Sequence, residues 1–311
     1  MIAVTTAVPT RSFDAQATAG LLDYPALVQS LREALLEYGD GKIVSPERMV
    51  VPLQEGGLML SMPATAQDIA IHKLVNVCPS NGKRKLPTIH GQVVAYDSHT
   101  GEMLFVLDGP TVTGRRTAAV SVLGIQTLHG GEPKEIVIIG TGKPAANHAE
   151  ALAVTCPRAK LYVKSRSRES AAAFVENHRD VAPNLAVLEG DAIPDSVEVV
   201  ITLTTSKVPV YSKAARAGRL VVGVGAFTPE AAEVGQNTVD SSFLVVDDPA
   251  GAKHEAGDLI CAHVDWNRVY ALGKLITGEV KPDAPVFFKS VGCAAWDLAA
   301  CRVASRALEA R

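Results

Sequence analysis

The run Glu135-Ile136-Val137-Ile138-Ile139-Gly140-Thr141-Gly142-Lys143-Pro144-Ala145-Ala146 constrains the fold more than any other stretch of the chain. A short apolar strand runs straight into a glycine turn and then into an alanine-rich segment with helical character. That order leaves backbone N–H groups at the helix start free to meet a phosphate. Gly140, Gly142 and Ala145 satisfy the glycine spacing of a dinucleotide-binding turn. The first permits the tight turn, the second lets the backbone approach a pyrophosphate, and the small third residue lets helix pack on strand. Thr141, Lys143 and Pro144 complete the candidate contact surface. A glycine-ended strand in a nucleotide-free α/β domain is the plainer alternative; the flanking strand and helix favour the dinucleotide.

The second strand of such a unit ends about 20 residues beyond the glycines, where a carboxylate would bond the ribose 2′-OH of NAD. Here that strand is Lys160–Val163, followed by Lys164-Ser165-Arg166-Ser167-Arg168. No carboxylate is present, whereas cations and hydroxyls are. A 2′-phosphate is a dianion that suits the planar fork of arginine, so Ser165, Arg166 and Ser167 point to NADPH, with NADH as the alternative. The competing reading is a solvated basic turn opening the next helix.

Length and composition narrow the rest. A chain of 311 residues with 47% hydrophobic content can bury the cores of two domains. A net charge of −3 gives no global attraction to nucleic acid or an anionic membrane. Met1–Thr6 lacks a basic leader, and no stretch approaches the ~20 apolar residues of a membrane span, so a cytoplasmic protein is expected. Cys78, Cys156, Cys261, Cys293 and Cys301 are scattered without metal-ligand spacing, which fits reduced thiols rather than a disulfide framework or a zinc site. Cys293 reads as a small buried residue beside Gly292 more readily than as a nucleophile.

The first ~115 residues do not alternate strand and helix. Asp23 can cap a helix through Glu37, with Leu27, Leu31 and Leu35 on one face. Strand-like runs follow at Met49–Leu53, Gly57–Met62, Ile69–Val77, Gln92–Asp97 and Met103–Leu107. A helix is expected from Thr113 to Leu128, stopped by Gly130-Gly131. From Glu135 onward strands alternate with helices: Leu185–Leu188, Val197–Thr202, Arg219–Val224 and Phe243–Asp247 as strands, with helical stretches at Glu169–His178 and Ser212–Ala217. The alanine-rich end, Cys293 to Leu308, reads as a helix. The expected fold is α/β: a Rossmann-type doubly wound parallel sheet inserted in a second, α+β domain for substrate binding and dimerisation. The expected boundaries are 1–117 plus 291–311 for the latter and 118–290 for the dinucleotide-binding domain.

Six segments, in order, resemble the ornithine cyclodeaminase/mu-crystallin family: Ser45–Arg48, Lys73–Val75, Thr113–Ala119, Gly140–Gly142, Phe288–Gly292 and Asp297–Ala300. The resemblance implies a homodimer acting on small amino acids or their cyclic imines. It implies that Arg48, Lys73 and Arg116 surround a substrate carboxylate, which suits the bidentate fork of arginine. Taken alone, Arg48 and Arg116 are equally compatible with solvated positions, and Lys73 either alternates outward from its strand or reaches into a cleft. Thr204, Thr205 and Ser206 follow the fourth strand at its carboxyl end, where nucleotides sit in open α/β sheets. By the same resemblance Val224, Gly225, Ala226, Lys289 and Ser290 join the cofactor contacts. His72 and His90 are candidate proton carriers or simply hydrogen-bonded histidines; Asp297 either orients a clamp cation or caps the last helix.

One departure is informative. Cyclodeaminases carry an aspartate base where this chain has Phe227, in Val224-Gly225-Ala226-Phe227-Thr228-Pro229. Phenylalanine moves no proton, so ring-closing deamination is not expected and the hydride step is. The branch resembled most is that of the Δ1-pyrroline-2-carboxylate reductases, which implies NAD(P)H-dependent reduction of a small cyclic imino acid to L-proline or its six-membered homologue. The proton comes from Lys73, from water, or from solution before binding. An ornithine cyclodeaminase, an amino-acid dehydrogenase and an NADPH-dependent small-ligand binding protein are the alternatives on the same frame.

Overall fold

The computed structural model describes residues 10–310, so the expectation for Met1–Thr6 lies outside the described residues. Strand β1 (Arg11–Ser12), helices α1 (Ala15–Ala19) and α2 (Tyr24–Gly39), and strands β2 (Met49–Pro52), β3 (Leu58–Thr65), β4 (Ile69–Val77), β5 (Ile89–Asp97) and β6 (Met103–Asp108) lead into the long helix α3 (Gly109–Leu128). The six strands form one sheet in the order β1-β6-β5-β4-β3-β2, antiparallel except where β1 joins β6.

The second run is β7 (Glu135–Ile139), α4 (Lys143–Thr155), β8 (Lys160–Lys164), α5 (Arg168–Asn177), β9 (Leu185–Val187), β10 (Val199–Thr202), β11 (Leu220–Gly223), α6 (Gln236–Asp240), β12 (Phe243–Val246), α7 (Pro249–Glu255), α8 (Gly257–Cys261), β13 (Val269–Ala271), α9 (Leu272–Ile276) and β14 (Val286–Lys289). These eight strands are all parallel, in the order β13-β12-β14-β11-β10-β7-β8-β9. From β7 the chain builds outward to β8 and β9, then crosses back to β10. The switch point of this doubly wound sheet therefore lies between β7 and β10.

The final helix, α10 (Ala294–Glu309), returns to the first sheet and packs on β4, β3 and α2. This works because β4 alternates cleanly. Ile69, Ile71, Lys73 and Val75 face the helices and are buried, whereas Leu74 faces away and is exposed. Helix α2 offers the matching stripe: Asp23 caps it through the Ala26 N–H, and Leu27, Leu31 and Leu35 are buried.

Helix α3 begins one turn before the expected Thr113. Asp108 accepts the Thr111 N–H at 2.8 Å, and Pro110 fills the first turn. The helix packs on both sheets, and the expected boundary at 117/118 falls inside it. The segment Ser212–Ala217 is not a helix. Its backbone is satisfied from outside instead: Asn237 and Thr238 donate to the carbonyls of Ser212 and Lys213, and Ala215 N–H donates to Ser241 Oγ. Strands β13 and β14 and helices α6 to α9 were not foreseen. Among the described residues no helix is long and apolar enough to cross a membrane.

Candidate active site

The parallel register aligns Ile139, Lys164, Thr202, Gly223 and Lys289 along one edge. The loops after these strands thus share the carboxyl edge of the sheet, where open α/β folds bind ligands. At the switch point Gly140 has φ +131°, and a Cβ there would lie 2.5 Å from the Leu203 carbonyl oxygen. Only glycine fits. Gly142 caps α4 without any side-chain bond, which leaves first-turn amides of Lys143 and Ala145 without an intrahelical acceptor. Gly142, Lys143 and Pro144 are exposed, Thr141 is half-buried, and Ala145 is fully buried against the sheet. This cradle fits a pyrophosphate.

On the β8 side the cations divide. Arg168 forms a two-point pair with Glu189 at 2.6 and 2.8 Å, and Lys164 donates to the Asp191 carbonyl at 2.7 Å. Ser167 caps α5 through the Ser170 N–H. Ser165 is half-buried beside them. Arg166 is exposed and has no partner among the described residues. A free guanidinium at this strand end fits a 2′-phosphate.

On the other side of the switch, Thr204, Ser206, Val224 and Gly225 are half-buried, Thr205 is exposed and Ala226 is buried. The two loops are pressed together, since a Cβ on Gly225 would fall 2.2 Å from the Thr204 carbonyl oxygen. Glu233, fully buried, ties them by accepting the N–H groups of Thr204, Gly225 and Ala226 and the Thr202 hydroxyl. Burial pushes its carboxyl above the usual range, against the pull of those donors and Lys289. Lys289 and Ser290 stand apart from the other cofactor candidates. The Lys289 ammonium is wholly buried, paired with Asp258 at 2.9 Å and bonded to the Ala226 carbonyl at 2.6 Å, and the Ser290 hydroxyl is spent on Asp247 at 2.8 Å. Neither side chain is free to reach a ligand, so both underpin the edge instead.

The three proposed clamp cations converge where α10 meets the end of β14. Lys73 Nζ donates to Asp297 Oδ2 at 2.8 Å, and Arg116 Nε donates to Asp297 Oδ1 at 3.1 Å. Arg48 donates to the Gly292 carbonyl at 3.0 Å and pairs with Glu255 at 2.8 Å. The Arg116 guanidinium lies on Gly292 so closely that a Cβ there would sit 2.4 Å from Nη1. Lys73 and Arg116 are only 3% and 6% exposed, yet neither Nη of Arg116 has a protein partner among the described residues. Such donors suit a small desolvated carboxylate. Burial pulls the Lys73 ammonium down to about 8, with Asp297 opposing and the two arginines adding to the fall. Burial works against the Asp297 carboxylate too, yet Lys73 and Arg116 together hold it below its usual range.

The remaining candidates lie elsewhere. His72 alternates to the face of β4 opposite Lys73 and bonds Ser61 Oγ at 2.7 Å, and His90 is exposed on the same outer face. The Cys293 thiol is pushed well up by burial and by Asp248 and Asp247, which keeps it protonated and inert. Asp247, Glu233, Asp258 and Glu255, which organise the edge from beneath, carried no signal in the sequence beyond being acids near strand and helix ends.

The model of the ornithine cyclodeaminase/mu-crystallin family matches residues 14–310. The chain belongs to this family. Within the ornithine cyclodeaminase/mu-crystallin family it is 65% identical over 303 residues to the Δ1-pyrroline-2-carboxylate/Δ1-piperideine-2-carboxylate reductase of Azospirillum brasilense, covering 97% of each chain. It is also 65% identical over 300 residues to Δ1-pyrroline-2-carboxylate reductase 2 of Burkholderia ambifaria, covering 96% of each. Among solved structures, the Δ1-pyrroline-2-carboxylate reductase of Thermococcus litoralis, in complex with NADH and L-proline, superimposes with a TM-score of 0.86 at 25% identity, over 97% of this chain and 98% of that one.

Proposed function

We infer that this protein reduces Δ1-pyrroline-2-carboxylate to L-proline, and Δ1-piperideine-2-carboxylate to L-pipecolate, with NADPH as the preferred donor and NADH as the second. The observation that carries the reading is the sharing of Asp297 by two buried cations, Lys73 and Arg116, with unpartnered donors beside a dinucleotide edge. The 65% identity to reductases of both ring sizes supports the same substrates. A pocket wall distinguishes rings differing by one methylene by only ~1–3 kcal/mol, so activity on both is expected.

In this reading a nicotinamide dinucleotide bound along the carboxyl edge supplies the hydride. Gly140 to Ala145 hold the pyrophosphate, Ser165 to Ser167 the adenosine ribose, and Thr204 to Ser206 with Val224 to Ala226 the nicotinamide half. Arg116 grips the carboxylate through its two free Nη groups, Arg48 adds the Nη1 that its bonds to Gly292 and Glu255 leave open, and Lys73 adds the third charge. The C=N bond becomes CH–NH as carbon takes the hydride and nitrogen a proton. Lys73, charged below about pH 8, is the buried proton carrier on this face. Phe227, half exposed after β11, gives a deaminating step no base.

A second copy of the chain fits the outer face of the first sheet, on which Met59, Leu74 and Leu104 are exposed. The functional test is a panel of pyrroline-2-carboxylate, piperideine-2-carboxylate, and pyruvate with ammonia, each with NADPH and NADH, following loss of reduced-nicotinamide absorbance, with ammonia release from ornithine in the presence of the oxidised cofactor as a separate arm. Turnover confined to the keto acid with ammonia, or none with either imine, overturns the reading.

A further inference from the structure

Asp247, directly after β12, is 1% exposed and has no cation partner among the described residues. Its charge is held by neutral donors alone. Oδ2 accepts Ser290 Oγ at 2.8 Å, Gly292 N–H at 3.0 Å and the Trp296 indole N–H at 3.2 Å. Oδ1 accepts Val291 N–H at 2.9 Å and Asp248 N–H at 3.0 Å. Three consecutive residues, 290 to 292, are thereby wrapped around one carboxylate. A buried carboxylate kept by backbone amides fixes the loop that bears them.

That loop is the surface on which both arginines rest. Gly292 adopts φ +75°, lies against the Arg116 guanidinium, and turns its carbonyl to Arg48. Arg48 and Arg116 come from the first sheet's side of the chain, whereas Asp247 and the loop belong to the parallel sheet. We propose that Asp247 is a positioning residue for substrate binding: by folding residues 290–292 around its carboxylate, it sets the platform that aims Arg48 and Arg116 at the substrate carboxylate. It touches neither substrate nor cofactor. The proposal rests on the reductase reading above and assigns that reading a residue on the opposite side of the cleft.

The decisive variant is Asp247→Asn. Whichever way the new amide is placed, its NH₂ group faces at least two hydrogen-bond donors, so the 290–292 loop cannot keep its shape. The expected result is an imine KM, and a dissociation constant for pyrrole-2-carboxylate on the NADPH-loaded enzyme, each raised about tenfold, with kcat lowered less than threefold and the NADPH Kd within about twofold of wild type. Trp296→Phe removes one donor and leaves the loop amides in place; it should lower Tm and leave both affinities alone. Should Asp247→Asn fail to fold, Ser290→Ala loosens the same loop without burying a new polar group, and should raise the imine KM about threefold at constant NADPH affinity. An unchanged imine KM in the folded variants, or parallel loss of imine and NADPH affinity, overturns the positioning role. A wild-type protein inactive on both imines overturns the functional reading and this inference with it; an active wild type with an unaffected Asp247→Asn overturns this inference alone.

Discussion

Lys73 and Asp297, 224 residues apart in sequence, meet in an ion pair of 2.8 Å at side-chain exposures of 4% and 0%. The pair joins the centre of the first sheet to the last helix, so β4 and α10 are locked together at the site. Its second role is electrostatic. Asp297 offsets the desolvation of two cations at once, while leaving their remaining N–H groups open.

That balance predicts a pH dependence. Lys73 is held down to about 8, so its charge is present below that value and lost as pH rises through it. The Ki of pyrrole-2-carboxylate, which does not itself titrate in this range, should rise with pH past about 8. Asp297→Asn removes the group that supports the charge and should move the rise to lower pH. For stability the sign is opposite: between about 8 and the ordinary lysine value the unfolded chain holds a proton that the folded one has released, so Lys73's own contribution grows with pH there. A Ki profile flat to pH 9.5, roughly a unit short of the free-lysine value, would remove Lys73 from the clamp.

Arg116 offers a cleaner measure of the clamp, since its Nη groups have no structural duty. Replacing it by Ala should cost about 1.5–3 kcal/mol of substrate binding, roughly 10–150-fold in KM. Lys at this position keeps the charge but not the fork, and should recover only part of that loss. Steady-state KM with the imine, alongside the NADPH Kd as control, decides it; an Arg116→Ala enzyme with normal kcat/KM refutes the assignment.

These residues differ in how far the sequence could announce them. The phosphate turn was legible because its signal is local: Gly140 must be glycine, since Leu203 leaves no room for a Cβ. Strand β4 was legible to the residue, for period-two alternation needs only a window of nine. That Lys73 points inward was not, because alternation fixes relative but not absolute facing; only α10, arriving from the far end, decides it. The same distance hid β14, whose four buried residues owe their place between β11 and β12 to sheet order rather than local pattern. Asp247 was invisible for a related reason, as its five donors come mainly from residues 43 to 49 positions downstream. The expected helix at Ser212–Ala217 failed where side chains of α6 and of Ser241, just after it, take up its backbone groups.

Cofactor choice should rest on Arg166. The neighbouring cations are occupied, Arg168 by Glu189 and Lys164 by the Asp191 carbonyl, so Arg166 is the unpaired cation that this loop offers a 2′-phosphate among the described residues. Arg166→Ala should raise KM for NADPH by roughly tenfold or more, the worth of about one lost charge-assisted bond at 1.5–3 kcal/mol, and leave KM for NADH unchanged. Equal effects on both cofactors would mean that the arginine serves the fold or the pyrophosphate.

Gly140→Ala probes the turn itself. A Cβ 2.5 Å from the Leu203 carbonyl oxygen at φ +131° forces β7 and β10 apart at the switch point. Strain of about 1–3 kcal/mol from the backbone angle alone is expected, with a lower Tm and loss of NADPH binding by titration. A variant with wild-type Tm and Kd would show that the turn adjusts freely, against the packing described here.

The outer face of the first sheet makes the last prediction. Its inner face is covered by α3 and α10, but on the other side Leu74 is 45% exposed at the middle of β4, with Met59 on β3 and Leu104 on β6 also uncovered. An apolar sheet face of this kind is rarely left to water, and a self-complementary patch on a symmetric pair is the commonest way to cover it. Leu74→Glu would bury a charge from each chain in such a contact. Sedimentation velocity should find wild type at twice the mass of one chain and the variant at one. Because Lys73 sits next to Leu74 but on the opposite face, loss of the dimer should leave the ion pair to Asp297 intact and NADPH binding unchanged. Equal mass for the two proteins would exclude this face as the dimer contact.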